Sequence, residues 1–414
     1  MGITEFVRRF SSQPSVQIAM GMGIGQGTLY LSIPLLSRLY TPEEFGRLAV
    51  FTALASTVAA VATLRLEYFV AASNESLSLA SQRAAIVVAA LSAVVAGIGL
   101  PLALPDASGF RRLCLGVTVF SMGVIAVMVQ VAARRSLFAG IAFGRGSFGL
   151  AQVGVQVGGG LAIGGAALLE AGLAAGYAAN AFIQTVSLRR SRLRSTDGSL
   201  QRTAYSEIPW SKAGFLTVAG LANVLTTTSI TYAMAWGFSE ADVGHLSIAQ
   251  RLVVAPVGLL VAAVGPVVVG QVAFRVRGAS SVWGAIHPWL SRLLPFALLT
   301  STVLLVMPRA WIEALLGLEY GASVPMLRAL APLVGSQMLF GVLGQVLAVA
   351  GHARAQLIWD IARLASVTVG GIIVILSGGT SIALAFVFSS VMAMFYGGYC
   401  FIIWFLDRKY RISA

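Results

Sequence analysis

Apolar runs dominate the chain, and polar residues collect in short intervals between them. Reading each run as a helix predicts twelve spans, at about 15–37, 44–72, 82–104, 112–133, 146–168, 171–188, 213–237, 243–272, 284–307, 323–349, 355–377 and 380–405. At about 1.5 Å of rise per residue, each is long enough to cross a hydrocarbon core of about 30 Å. The longest must tilt or continue outside the hydrocarbon. The first run follows Arg8 and Arg9, as a secretory signal would. It is too long for one and carries no convincing small-x-small cleavage site, so it reads as a retained span.

The pattern also repeats. Tyr40–Leu48 reads YTPEEFGRL and Phe238–Leu246 reads FSEADVGHL, a constant offset of 198 residues. In each copy a hydroxyl residue, Thr41 or Ser239, stands three positions before an acid, Glu44 or Asp242. Hydroxyl and acid so spaced satisfy free amides at a helix start. A weaker match pairs MVQVAARRSLF from Met128 with LGQVLAVAGHARAQLI from Leu343, each running on to a glycine pair, Gly158–Gly159 and Gly370–Gly371. Six spans are thus duplicated, and six being even, both halves enter from the same side as a parallel repeat. The one long polar connection, RRSRLRSTDGSLQRTAYSEIPWSK, divides them. The expected organisation is an N-terminal six-helix bundle at 1–188, a basic cytoplasmic linker at 189–212 and a C-terminal six-helix bundle at 213–414.

Composition excludes a soluble fold. The chain is 57% hydrophobic and 10% charged, against roughly 45–50% and 25% in soluble domains. Its net charge of +13 would suggest nucleic acid in a soluble protein. Here the basic residues lie in loops, with no stripe interleaved with exposed aromatics, so no nucleic-acid partner is expected. With the N-terminus in the cytoplasm, eighteen Lys and Arg fall on that side and six on the other. That bias places both termini inside.

Catalytic chemistry has little to stand on. Cys114 and Cys400 fall in apolar spans, and His245, His287 and His352 are scattered near span ends, so neither a disulfide framework nor a metal site is expected. GMGIGQG, from Gly21 to Gly27, lies inside the first span and reads as a close-packing face rather than a phosphate cradle. Gly154, Gly158, Gly160 and Gly164 read the same way. No enzyme activity and no cofactor are expected.

Ionisable side chains in the spans are more informative, because a charge in hydrocarbon costs at least about 2.5–3.5 kcal/mol. Arg65 and Glu67 stand near the inner end of the second span, and Arg251 stands eight residues into the eighth. That places Arg251 roughly 12 Å deep, too far for easy snorkelling. Asp360 and Arg363, three apart on the eleventh span, fit either a structural ion pair or a cavity pair. Arg292 reads as a snorkelling anchor, while Arg38 and Arg328 near the outer face fit a positive rim or ordinary interface residues. Gln152, Gln156, Gln250 and Thr226–Thr228 suit either interhelical hydrogen bonds or a hydrated lumen. Basic groups outnumber acids, so a cavity built from them favours an anion such as a phosphate, which arginine grips with two donors.

The stretch PLLSRLYTPEEFGRLAVFTALASTVAAVATLRLEYFVAAS, from Pro34 to Ser73, resembles the start of the Wzx-type polysaccharide flippases of the multidrug/oligosaccharidyl-lipid/polysaccharide exporter superfamily. FSEADVGHLSIAQRLVVAPVGLLV and WIEALLGLEYGASVPMLRALAPL are similar to that family's eighth span and its connection from ninth to tenth. The resemblance implies an all-α integral membrane fold of about twelve transmembrane helices, in two pseudo-symmetric six-helix bundles around a central cavity. It implies a substrate built on undecaprenyl diphosphate that carries a sugar repeat unit for O-antigen, capsule or exopolysaccharide. The partners it implies are the bilayer of the bacterial inner membrane, the lipid-linked oligosaccharide, and polysaccharide polymerase with other assembly proteins. Arg65 and Arg251 match positions where the family is taken to hold diphosphate or acidic sugars, with Gln250, Arg38, Arg328 and Arg363 as further cavity candidates. Glu67 and Asp360 are the candidates for ion coupling. The alternatives are a multidrug or organic-cation exporter of the same superfamily, and an O-antigen polymerase or ligase, which would require a large outer loop.

Overall fold

The computed structural model describes residues 14–103, 108–135, 137–192, 205–277, 281–344, 346–349 and 353–412. His352, and Arg8, Arg9, Arg194 and Arg202 of the basic ends and linker, lie outside these residues. The described chain is almost entirely helical. In order it forms α1 (Pro14–Leu39), α2 (Pro42–Val61), α3 (Glu67–Ala72), α4 (Glu75–Ala103), α5 (Gly109–Arg134), α6 (Phe138–Ala162), α7 (Ala166–Arg192) and α8 (Trp210–Gly237). There follow α9 (Glu240–Ala249), a π-helical turn (Gln250–Val254), α10 (Ala255–Arg277), α11 (Trp283–Val306), α12 (Arg309–Leu316) and a 3₁₀ segment (Leu318–Ala322). The chain ends with α13 (Ser323–Ala329), α14 (Ala331–Phe340), α15 (Val346–Val349), α16 (Ala353–Leu376) and α17 (Ser381–Ile412).

Hydrocarbon offers backbone amides no partner, which is why a chain this apolar resolves into helices that satisfy their own hydrogen bonds. Among the described residues nine helical runs are long and apolar enough to cross a membrane, and Leu318–Ala329 with Ala331–Leu343, bent by 52°, supplies a tenth. α1 and α6, of 26 and 25 residues, are also of crossing length, and with them the segments number the twelve that the apolar runs predict. The predicted helix starts at the two repeat motifs form as expected. Thr41 Oγ1 accepts from Glu44 N at 3.4 Å while Thr41 N donates to Glu44 Oε2 at 2.9 Å. Ser239 Oγ accepts from Asp242 N at 3.2 Å, and Ser239 N donates to Asp242 Oδ2 at 3.3 Å. Tyr40, in the turn before α2, donates its hydroxyl to Gln156 O at 2.6 Å. Burial, with the Glu44 carboxylate adding to it, holds that phenol above its ordinary range, so it stays a neutral donor.

The helices form two compact units, Met1–Glu44 with Phe51–Val224, and Phe45–Val50 with Leu225–Ala414. The first has a core centred on Leu66, Val70, Val127, Met128 and Val131. The second is centred on Val268, Val272, Ile286, Leu343 and Ile403.

Two devices hold the first unit together. One is backbone contact between α1 and α6: a Cβ on Gly21 would lie 2.1 Å from Ala142 O, on Gly25 2.1 Å from Arg145 O, and on Gly149 2.1 Å from Gly25 O. Only glycine permits that approach, and in lipid such packing replaces the hydrophobic drive that water would supply. It also explains why α6 begins at Phe138 rather than near 146, since its glycine-rich first turns are held by neighbours rather than by hydropathy. The other device is a buried ion pair. Arg111 of α5 donates Nε to Glu170 Oε2 at 2.8 Å and Nη2 to Glu170 Oε1 at 2.5 Å, with the Glu170 side chain fully enclosed. Glu170 falls in the two-residue gap between the fifth and sixth apolar runs, so the sequence pattern did not single it out.

Gly25→Leu should therefore cost at least the ~1–3 kcal/mol typical of overpacking, because the collision is with backbone. Gly23→Ala, whose Cβ meets nothing within 4 Å, should leave the melting temperature in detergent nearly unchanged. Glu170→Gln should destabilise the protein by about 3–5 kcal/mol by stranding the Arg111 charge. An unaltered melting curve for Glu170→Gln would show the pair to be dispensable.

Candidate polar site in the membrane spans

The second predicted span is not one helix. Between α2 and α3 the chain turns through Ala62–Leu66, with Leu64 at φ 48° and Arg65 at φ 55°. Neither residue is glycine, so this left-handed backbone costs on the order of 1–3 kcal/mol per residue and persists only because its surroundings fix it. Leu66 is fully buried, Thr63 Oγ1 donates to Glu67 Oε2 at 2.6 Å, and Arg134 reaches back to the carbonyls of Val70 and Ser73 at 3.2 and 2.5 Å.

The turn presents Arg65 to α8. Its guanidinium lies where a Cβ on Gly220 would come within 2.3 Å of Nη2, and it stands 5.9 Å from the centre of the Tyr68 ring. Glu67 Oε1 is 3.7 Å from Nη1, beyond ordinary hydrogen-bond reach, and the buried Arg65 Nε has no hydrogen-bond partner among the described residues. Glu67 is itself engaged by Thr63 and 5% exposed, so it half-balances the arginine without satisfying its donors.

Arg251 also sits where regular helix fails. It is the second residue of the π-helical turn, whose closing bond runs from Ala255 N to Gln250 O. Turns of this kind cluster at functional positions, because the extra residue redirects a side chain without ending the helix. The Arg251 guanidinium stands 5.6 Å from the centre of the Phe45 ring, within electrostatic reach of Tyr320. Tyr320 is fully buried and edge-on to both Phe45 and His245, at 6.1 and 6.2 Å. His245 Nδ1 lies 3.0 Å from Ser323 Oγ.

No carboxylate pairs with Arg251 among the described residues. A ring face contributes about 0.5–2 kcal/mol to a neighbouring cation, less than the about 2.5–3.5 kcal/mol that a charge in a span costs. On these magnitudes the ring alone does not offset the charge of Arg251. Gln250, partly exposed beside it, makes no side-chain hydrogen bond among the described residues.

The remaining candidates divide by whether their charge is already answered. Asp360 Oδ1 is 3.1 Å from Arg363 Nη2, and Gln356 Nε2 donates to Asp360 Oδ2 at 3.1 Å. Tyr399 donates to Gln356 Oε1 and accepts from Leu347 N, extending this network to α17 and α15. The pair on one helix face forms as its spacing predicts, within a mostly satisfied chain of hydrogen bonds. Arg328 is exposed and donates to Met307 O at 3.0 Å, while Arg38 is exposed on the last turn of α1. Arg292 is exposed over Trp289 at 5.8 Å, as a snorkelling residue would be. Arg145, which the apolar pattern leaves in a loop, stands inside α6, partly buried and without an ion-pair partner among the described residues. Among the described residues no three His, Cys, Asp or Glu come together as a metal site would require.

No family model and no curated protein sequence matches the chain. Solved structures do. An inward-facing multidrug resistance MATE family transporter of the MOP superfamily is similar over 97% of this chain and 100% of its own, at a TM-score of 0.67 and 13% identity. The lipid II flippase MurJ in an inward closed conformation is similar over 96% of this chain and 86% of its own, at 0.61 and 12%. An outward-facing MATE family transporter is similar over 100% and 99%, at 0.59 and 12%. The chain is a multi-pass, all-helical membrane protein with the fold of these transporters and flippases.

Proposed function

We propose that the protein is a flippase. It moves an oligosaccharide repeat unit, carried on undecaprenyl diphosphate, from the cytoplasmic to the outer leaflet of the bacterial inner membrane by alternating access, for O-antigen, capsule or exopolysaccharide synthesis. The observation that carries the reading is Arg251, a cation inside a span that stands over the Phe45 ring and pairs with no carboxylate among the described residues. A sugar diphosphate cannot cross hydrocarbon unaided, and a guanidinium with free donors meets its charge in two-pronged fashion. Arg65, with its unsatisfied Nε, is the second contact in this scheme. Gln250, Arg38 and Arg328 are polar groups along the path, while Arg363 is tuned by Asp360.

Both termini are cytoplasmic in this reading, as the loop charges suggest. The two repeats, 1–188 and 213–414, rock about the basic linker, 189–212. Glu67 and Asp360 are the groups for ion coupling, since each carboxylate exchanges partners at low cost only if a proton or cation replaces the arginine beside it. Polysaccharide polymerase and other assembly proteins receive the product.

The likeness to multidrug transporters favours a second reading, export of organic cations. That activity calls for an acid free to meet a cation, whereas Glu67 and Asp360 are both held by arginine and hydrogen bonds. Deleting the gene separates the readings: loss of surface polysaccharide supports the flippase, and intact polysaccharide with new drug sensitivity supports the exporter.

In proteoliposomes holding a fluorescent polyprenyl-diphosphate oligosaccharide, Arg251→Ala should slow flipping on the order of tenfold or more, matching loss of a charged hydrogen bond worth about 1.5–3 kcal/mol. Arg251→Lys should fall between, and Arg292→Ala should keep the parental rate. A parental rate from correctly inserted Arg251→Ala would remove Arg251 from the path.

A further inference from the structure

The connection between α11 and α13 carries an apolar stripe that the transport reading does not use. α11 ends at Val306, and the next membrane-crossing pair begins at Leu318. Only residues 307–317 separate two spans, so α12 lies where the chain surfaces from hydrocarbon. Pro308 opens the helix, and Gly317, at φ 106°, lets the chain turn straight back.

On α12 two separate faces are apolar. Ile312 and Leu316 are buried against the protein. Trp311 and Leu315, one turn apart, are 65% and 46% exposed, and Leu318 beyond the glycine is 78% exposed. Ala310 and Ala314 occupy the side opposite the buried face, and Arg309 and Glu313 neutralise one another at 2.5 Å. Leaving a large apolar side chain in water forgoes about 1.5–3 kcal/mol. Leu305 and Val306, the last residues of the membrane-length helix α11, are exposed and apolar as well, at 56% and 67%.

We infer that α12 is an interfacial helix, lying along the membrane surface with Trp311, Leu315 and Leu318 sunk into the boundary between headgroups and acyl chains. The partner is the lipid bilayer itself. Tryptophan suits that depth because its ring is apolar and its N–H stays near water. The absence of net charge on the Arg309–Glu313 pair means that the attachment rests on apolar area rather than on anionic headgroups. Tyr320 follows Leu318 by two residues and is packed against Phe45 and His245.

The test is a depth measurement on full-length protein in phosphatidylcholine vesicles. Cys114 and Cys400, both buried, are replaced by alanine, and a nitroxide is placed at Leu315→Cys, Leu318→Cys or Ala314→Cys in turn. The labels at 315 and 318 should collide more often with oxygen than with an aqueous nickel chelate, giving a ratio severalfold above that at 314. Addition of anionic lipid should leave the ratios unchanged. If the labels at 315 and 318 meet the nickel chelate as freely as the label at 314, the helix stands in water and the inference fails. Should one labelled variant misfold, the other site on the stripe still decides. Flipping activity takes no part in the readout, so the result is independent of the transport reading.

Discussion

Hydrocarbon neither donates nor accepts a hydrogen bond, and the whole molecule is shaped by that deficiency. Backbone groups answer it by coiling into helices, hydroxyls by bonding to carbonyls a turn away, as Thr118 does to Cys114 O at 2.7 Å. Charges answer it in pairs. Arg111 encloses Glu170, and Asp360 holds Arg363 within a chain of amide and phenol groups. Where neighbours can be drawn close enough, glycines replace side chains, and helix backbones touch along α1 and α6.

Against that economy the exceptions stand out. Arg65 and Arg251 are each placed by a local failure of the helix, a left-handed turn in one case and a π-helical turn in the other. Each failure is expensive, and each ends in a guanidinium whose donors are not fully met by the described protein. Rigid surroundings hold these irregular turns in place, since Leu66 behind the first and Leu246–Ala249 before the second are all buried.

Much of the architecture was legible from hydropathy alone, because crossing length leaves a coarse and redundant signal. The capping motifs were legible too, since hydroxyl and acid at that spacing have one good local use. The fine structure was not. Nothing in ATLRLEYF, which lacks glycine and proline, announces two left-handed residues, and nothing in AQRLVV announces a π turn. Both are decided by packing from residues remote in sequence. The early start of α6, which brings Arg145 into a helix, was hidden for the opposite reason: its glycines weaken the local signal while making the packing possible. Glu170 escaped because a carboxylate at a span's edge looks like a loop residue until Arg111 is seen beside it.

A π turn holds one residue more than an α turn, so side chains after Val254 emerge rotated by about 100° from where an unbroken helix would place them. The eighth span is thus buried on all sides at Leu246–Ala249 before the turn, while after it Val257 is buried and Ala255 and Pro256 are exposed. A chain one residue shorter between Gln250 and Val254 would still be an apolar, membrane-length helix, indistinguishable by hydropathy. Its cation would face a different neighbour, so the length of this turn, as much as the identity of the arginine, sets which groups surround the guanidinium.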